Sequence, residues 1–296
     1  MPLISVLMPV YDCEEYVQAA IDSILGQSFR DFEFIIIDDG SKDRTPDIVK
    51  AAAARDPRIR VISRENRGIV PSLNEALAEA TGELIARMDG DDISLPDRFA
   101  RQVAYLQANP DCGLVGTQIM FMDPDGRPIA PMPNPVGHDE IVATMMDGNE
   151  SLAHPTVIFR RDIARSIDGY SDRFRHAEDI DFFLRMAETT KVANLPDILL
   201  HYRQHAKSIG RTQTDAQVDA HYRAICEAAE RTGAPKPKEI EQRTFGNETD
   251  DHTLWAWWAL GSRQMPAARY YARKVLTARP FDLNSWRLAY CVIRGH

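Results

Sequence analysis

Over its first ninety residues the chain alternates short apolar runs with amphipathic stretches, and this alternation restricts its fold more than any other feature. Residues 3–10, LISVLMPV, are apolar and stop at Pro9, the pattern of a buried strand. Residues 14–25 then place Tyr16, Val17, Ala20, Ile21, Ile24 and Leu25 at helical spacing. Residues 34–37 repeat the strand pattern and run into Asp38-Asp39-Gly40-Ser41. A helix is predicted over 43–54, with Ser41 or Asp43 as its N-cap. A strand at 60–63, a helix at 71–80 closed by Gly82, and a strand at 84–88 ending on Asp89 complete the series. Strands and helices alternating in this way predict an α/β fold with a parallel sheet covered on both faces. In such sheets ligands lie beyond the C-terminal ends of the strands. Here those ends carry Pro9-Val10-Tyr11-Asp12, Asp38-Asp39-Gly40 and Asp89-Gly90-Asp91-Asp92.

The remainder is less regular. It reads as a strand at 114–122, a turn at 123–126 and a four-proline loop or extended segment at 128–135. A strand at 156–159, helices at 161–167 and 180–188, and strands at 192–195 and 198–203 follow. From 214 the chain turns mostly helical, interrupted by a linker at 232–244 containing Gly233, Pro235 and Pro237. With 44% apolar and 27% charged residues among 296, a sizeable core is expected in a soluble globular protein. The net charge of −9 is uneven: from Leu254 onward seven Lys/Arg face one acid, Asp282, a tail of +6 against −15 for the rest. An acidic body argues against nonspecific nucleic-acid binding. Cys13, Cys112, Cys226 and Cys291 are dispersed, without a CxxC pair, which suits free thiols in a reducing cytosol. The opening residues lack a basic leader and no apolar run reaches the ~20 residues of a membrane span, so a cytoplasmic location is expected.

Three carboxylates within Asp89-Gly90-Asp91-Asp92 repel one another unless a cation lies among them. Oxygen donors alone suit a hard ion, Mg²⁺ or Mn²⁺, whose remaining ligands would be waters and substrate phosphates. A solvated acidic loop capping the next helix is the plainer alternative. Asp38-Asp39-Gly40-Ser41 offers a carboxylate to a uracil ring or a ribose, or else an Asx turn.

Taken in order, the motifs are Pro9-Val10-Tyr11, Ile37-Asp38-Asp39-Gly40-Ser41, Asn66-Arg67-Gly68 and Ser72-Leu73-Asn74, then Gly82-Glu83 and Ala86-Arg87-Met88-Asp89-Gly90-Asp91-Asp92-Ile93-Ser94-Leu95-Pro96 with Arg98. His154-Pro155, Glu178-Asp179-Ile180-Asp181-Phe182 and Tyr202-Arg203-Gln204-His205 follow. This ordered set resembles the family 2, GT-A fold inverting glycosyltransferases over roughly residues 3–210. The resemblance implies a Rossmann-like, mostly parallel central sheet flanked by helices. A catalytic domain would span 1–212, with a nucleotide-binding half to about 95 and an acceptor half from about 96 to 212, followed by a helical C-terminal region at 213–296. It implies that Pro9, Tyr11 and Asp39 hold the base and ribose, and that Asn66, Gly68, Asn74, Arg87 and Arg203 line the nucleotide-sugar site. Asp89 would face the ribose or diphosphate, and Asp91, with His205, the metal. His154 would stand on the acceptor side, and His176 is unassigned. Relatives often carry Ala at the position of Gly90, and an Arg at that of Leu73.

Glu178-Asp179 matches the family's acidic pair. Inverting transfer needs a carboxylate to take the acceptor's hydroxyl proton, and Asp179 is expected in that role with Glu178 second; capping of the helix that follows is the alternative. The resemblance therefore implies transfer from a nucleotide-diphosphate sugar, a UDP-sugar by preference, to a surface polysaccharide or lipid-linked oligosaccharide. A sugar nucleotidyltransferase would want a Gly-rich basic loop where Tyr11-Asp12-Cys13-Glu14-Glu15 stands, and a degenerate scaffold would have lost Asp91 or the acidic pair. The tail holds all four tryptophans, Trp255, Trp257, Trp258 and Trp286, beside its basic excess. It reads as a packed helical appendage resembling part of a tetratricopeptide repeat, with peripheral membrane contact on its basic face.

Overall fold

The computed structural model describes residues 1–174, 176–205, 215–235, 237 and 248–295. The chain forms two compact units, neither continuous in sequence. The first comprises Met1–Gln118, Pro133–Leu200 and Thr214–Glu241; the second comprises Ile119–Met132, His201–Gln213 and Gln242–His296. The expected boundary at 212 follows the chain, whereas these units take Ile119–Met132 out of its middle.

The first unit begins with the anticipated alternation: β1 (Ile4–Val10), α1 (Val17–Leu25), β2 (Phe32–Asp38), α2 (Thr45–Arg55), β3 (Ile59–Ser63), α3 (Ile69–Glu79) and β4 (Leu84–Arg87). β3, β2, β1 and β4 lie side by side and parallel. Their side chains are buried on both faces. Leu7, Ile35, Ile37 and Ile85 join Val70, Leu73, Ala76 and Leu77 of α3 in one core. Alternation along a strand sends Val6, Met8, Phe34 and Ile36 to the opposite face, where they too are fully covered. Pro9 does not end β1. It pairs in register with Ile37, while the β4 side of the ladder stops at Leu7, so the missing N–H of proline costs no bond there. α1 starts three residues later than its apolar spacing suggests, because the turn before it is tied to the loop after β2. Asp12, Cys13 and Glu14 donate their N–H groups to Ser41 Oγ, Thr45 Oγ1 and Asp43 Oδ2 at 3.1, 3.0 and 2.9 Å. Gly82 is not the cap of α3, which ends at Glu79 with Ala80 as its C-cap. A Cβ at Gly82 would lie 2.7 Å from the backbone nitrogen of Ser5, so close approach to β1 demands glycine.

After β4 come β5 (Ile93–Ser94), α4 (Arg98–Ala108), β6 (Cys112–Met122), β7 (Pro128–Met132), α5 (His138–Met146), a 3₁₀ turn at His154–Thr156 and β8 (Ile158–Arg160). Next are α6 (Arg161–Ser166), α7 (Glu178–Thr189), β9 (Lys191–Arg203) and α8 (Asp215–Thr232). The sheet order is β3-β2-β1-β4-β8-β6-β9-β5. Its first four strands form a parallel part. β8 runs antiparallel to both β4 and β6, making the sheet mixed. β9 is one strand where two were expected, with Pro196 exposed in its middle. The linker expected at 232–244 falls largely outside the described residues.

In the second unit β7 pairs antiparallel with Ile119–Met122 of β6, so residues 128–132 of the proline-rich segment take the extended alternative, and 133–135 are irregular. Its Pro128 and Pro131 are tolerated because β7 lies off the main sheet path, with a partner on one side. α9 (Glu248–Gly261), α10 (Met265–Ala278) and α11 (Leu283–Arg294) follow. Ile129 and Ala130 of β7 share a core with Trp255, Ala259, Tyr271, Val275, Leu288 and Val292, so the C-terminal helices are packed. Tyr271 donates to the fully buried Asp123 at 2.7 Å. Trp255 is buried and Trp258 stacks on Phe121 at 5.9 Å, which leaves Trp286 the most exposed of the four.

Candidate active site

The acidic strand end expected to bind a metal is assembled in the first unit. Ligand oxygens of Asp89, Asp91 and Asp92 lie within 4.8 Å of one another, with Asp89 and Asp91 half-buried and Asp92 buried. Such a set of hard oxygen donors, closely spaced, fits a divalent ion such as Mg²⁺ or Mn²⁺. Two buried arginines hold it from behind. Arg87, 2% exposed, donates to Asp89 at 2.5 Å. Burial opposes the charge of Arg87, but Asp89, Tyr170 and Asp92 together offset it and raise the guanidinium's pKa. Arg87, expected at the sugar site, is thus directed to Asp89, and its Nε has no hydrogen-bond partner. Arg98 is completely buried, and donates to the carbonyl oxygens of Arg87 and Pro155, anchoring the start of the loop. Desolvation lowers its pKa to about 9, partly countered by Asp92. Sequence reasoning gave Arg98 no role; its position in the motif run was the signal.

Gly90 has little room. A Cβ there would meet Val10 Cγ1 at 3.0 Å and Cys13 Sγ at 3.1 Å. Cys13 therefore occupies space that an alanine methyl would need. Burial pushes its thiol up to about 12, so it is a packing group rather than a nucleophile.

Glu178 and Asp179 sit in the first turn of α7. Glu178 is buried, and its Oε2 has no hydrogen-bond partner. Burial, reinforced by the charge of Asp179, raises its pKa to about 7. Asp179 is half-buried and accepts from the N–H of Ile180 at 2.8 Å. Its charge also acts on Asp89, whose pKa is raised by burial first, against the pull of Arg87. The acidic pair and the carboxylate triad therefore share one electrostatic neighbourhood, although they are far apart in sequence. Asp181 is turned away, paired with Arg185 at 2.6 Å.

His154 and Tyr170 complete this neighbourhood. His154 Nε2 lies 3.0 Å from the Tyr170 hydroxyl, and its ring meets Phe183 edge-on at 5.8 Å. Burial, then the charge of Arg87, holds the imidazole well below its ordinary pKa, so it is neutral. Tyr170, which sequence reasoning missed, is fixed by Asn74. The Asn74 amide donates to Tyr170 O at 2.8 Å and accepts from Tyr170 N at 2.9 Å. Both ends of Asn74 are thus directed at backbone.

On the nucleotide side, Tyr11 is 46% exposed at the end of β1, and the nearby carboxylates of Asp12 and Asp39 raise its phenol. Asp39 is buried and organises the following loop. It pairs with Arg64 and accepts from the N–H groups of Arg67 and Gly68 at 2.9 and 2.8 Å. Asn66 is exposed on that loop. Arg203 and His205 belong to the second unit, where Arg203 donates to the carbonyl of Pro124 at 2.7 Å. His176 is exposed with a positive φ of 67°.

The family model described as Glycosyl transferase family 2 matches residues 5–168. The O-antigen biosynthesis glycosyltransferase WbnJ of Escherichia coli is 35% identical over 212 residues, covering 70% of this chain and 82% of that protein. Chondroitin synthase of Pasteurella multocida (strain Pm70) is 29% identical over 232 residues, covering 78% of this chain but 24% of that longer protein. Among solved structures, S. aureus TarS 1-349 in complex with UDP-GlcNAc superposes with a TM-score of 0.62 at 17% identity, covering 99% of this chain and 92% of that one. The mannosyltransferase PcManGT from Pyrobaculum calidifontis, in complex with GDP-Man and Mn²⁺, gives 0.57 at 17% identity, covering 99% and 85%. The fold these structures share with the chain is GT-A.

Proposed function

We propose, starting from the fact that this chain belongs to glycosyl transferase family 2 and is a glycosyltransferase, that it is a metal-assisted inverting enzyme with Asp179 as its base. Its donor is a nucleoside-diphosphate sugar, a UDP-sugar by preference. Its acceptor is a hydroxyl of a surface polysaccharide or lipid-linked oligosaccharide. The observations that support this reading are the closely spaced Asp89-Asp91-Asp92 group and the charge of Asp179 acting on Asp89 within it. Polysaccharide biosynthesis among the relatives and nucleotide sugars in the solved structures support donor and acceptor class.

Tyr11 offers an exposed aromatic face to the base, and Asp39 acts through the 64–68 loop that it holds in shape. Asp91 and Asp89 would hold Mn²⁺ or Mg²⁺, which when bound supplies positive charge against the departing diphosphate. Asp179 takes the proton from the acceptor hydroxyl as its oxygen forms a bond to the anomeric carbon and the bond to the diphosphate breaks. No protein acid is required, because a diphosphate leaves as an anion. Asp179 is favoured over Glu178 because it is the more accessible of the two, whereas Glu178 faces the core.

Asp179→Asn is expected to retain donor binding, measured by thermal shift with Mn²⁺ present, and to lose ~10²–10⁴ in transfer rate. Asp91→Ala should lose metal-dependent activity while remaining folded. Full activity in excess EDTA would reject the metal. A loss below tenfold in Asp179→Asn, with a larger loss in Glu178→Gln, would move the base to Glu178.

A further inference from the structure

We infer that the outer face of α11 is a membrane-docking surface, which seats on the headgroup region of an anionic bilayer. α11 has two apolar faces. The inner one, Leu288 and Val292, lies in the core of the second unit. The outer one is open: Leu283 is 83% exposed, Trp286 56%, Tyr290 57% and Ile293 81%, with Phe281 just before the helix at 98%. At 3.6 residues per turn the four helical residues share an arc of about 80°. Single exposed apolar residues are ordinary, but a contiguous set marks an interaction surface.

The polar tips of the aromatic side chains are already engaged. Trp286 Nε1 donates to the carbonyl of Pro280 at 2.8 Å, and Arg294 donates to the Tyr290 hydroxyl at 2.6 Å. Their ring bodies can therefore enter an apolar layer without stranding a donor. Charge decides the occupant. Arg287 and Arg294 are exposed and lie next to the apolar arc on the helix, and Arg269, Arg273 and Lys274 are exposed on α10. The sole acid after Leu254, Asp282, caps α11, accepting from Asn284 N and Ser285 Oγ at 3.1 Å each. An apolar stripe edged by arginines matches a surface of acyl chains beneath anionic headgroups. A second copy is a poorer match, since symmetric pairing would bring the arginines of the two copies together. At 12 residues α11 is too short to cross a bilayer and would lie in its plane. Among the described residues no helix is long and apolar enough to cross one.

The test is co-sedimentation of the full chain with vesicles of phosphatidylcholine alone and with about a third phosphatidylserine, at low and high salt. Each basic residue near an anionic surface contributes roughly fivefold in affinity, so binding should need the anionic lipid and weaken with salt. Leu283→Ser with Ile293→Ser should reduce binding at least tenfold, and Arg287→Glu with Arg294→Glu should abolish it. Both variants should melt as the parent does, since the altered side chains are exposed. Equal pelleting of parent and variants would overturn the proposal, as would no pelleting with anionic vesicles. Concentration-dependent dimerisation that the serine variant removes, without vesicle binding, would assign the face to a second copy instead.

Discussion

Glu178 and Asp179 occupy adjacent positions in the first turn of α7, yet only one of them is buried. The consequence for Glu178 is a pH signature. Its carboxyl holds a proton more tightly folded, at about 7, than at the ordinary 4.5. Stability from this group is therefore complete below 4.5 and is lost as pH rises through 7. Glu178→Gln removes the loss. The variant is expected to match the parent in acid and to exceed it above neutrality by up to ~3 kcal/mol, read from denaturant unfolding across pH. At the same scale, Gly90→Ala should cost about 1 kcal/mol by overpacking. Cys13→Ala should reduce that cost, because the two sites share one space, and a double-mutant cycle measures the coupling. The carboxylates were legible in the sequence because acids at strand ends stand out against apolar runs. Arg98, Tyr170 and Cys13 were not, since a buried arginine reads as surface and a packed thiol reads as nothing in particular.

Among elements, α3 and the segment entering α7 are joined by Asn74 and Tyr170 across 96 residues of chain. A clamp of two hydrogen bonds predicts that Asn74→Ala loses about 2 kcal/mol of stability, and that activity falls with it as Tyr170 and His154 move. A direct donor contact predicts the opposite pattern, a higher KM for donor with an unchanged melting point. Sequence reasoning placed Asn74 in the sugar site by resemblance and could not see this pairing, which depends on tertiary contact. The parallel elements β1 to β4 were readable because strands buried on both faces leave continuous apolar runs. β5 is too short to register a pattern. β7 was left open between loop and extended segment by its prolines, which an edge position makes compatible with a strand. α4 pairs its apolar residues with fully buried Arg98 and Gln102, which weakens the helical signal.

At the scale of the whole molecule, a linear cut between catalytic domain and helical tail could be drawn from composition, but the discontinuous units could not. Ile119–Met132 looks like an excursion within the catalytic region, and only pairing in space assigns it to the same unit as α9 to α11. Removing the helices should therefore not excise a module. A chain ending before Glu248 would uncover Ile129, Ala130 and Phe121. It is expected to melt lower than the full chain and to aggregate on heating, as followed by light scattering; equal melting of the two would refute the packing argument. The same arrangement has a consequence in time. During synthesis the β6–β7 hairpin leaves the ribosome long before residues 255–292 exist to cover it. Until those helices emerge, its apolar face has only transient company. The fidelity of this fold then depends on keeping that hairpin from other nascent chains, which makes the rate of translation through the C-terminal helices a determinant of yield.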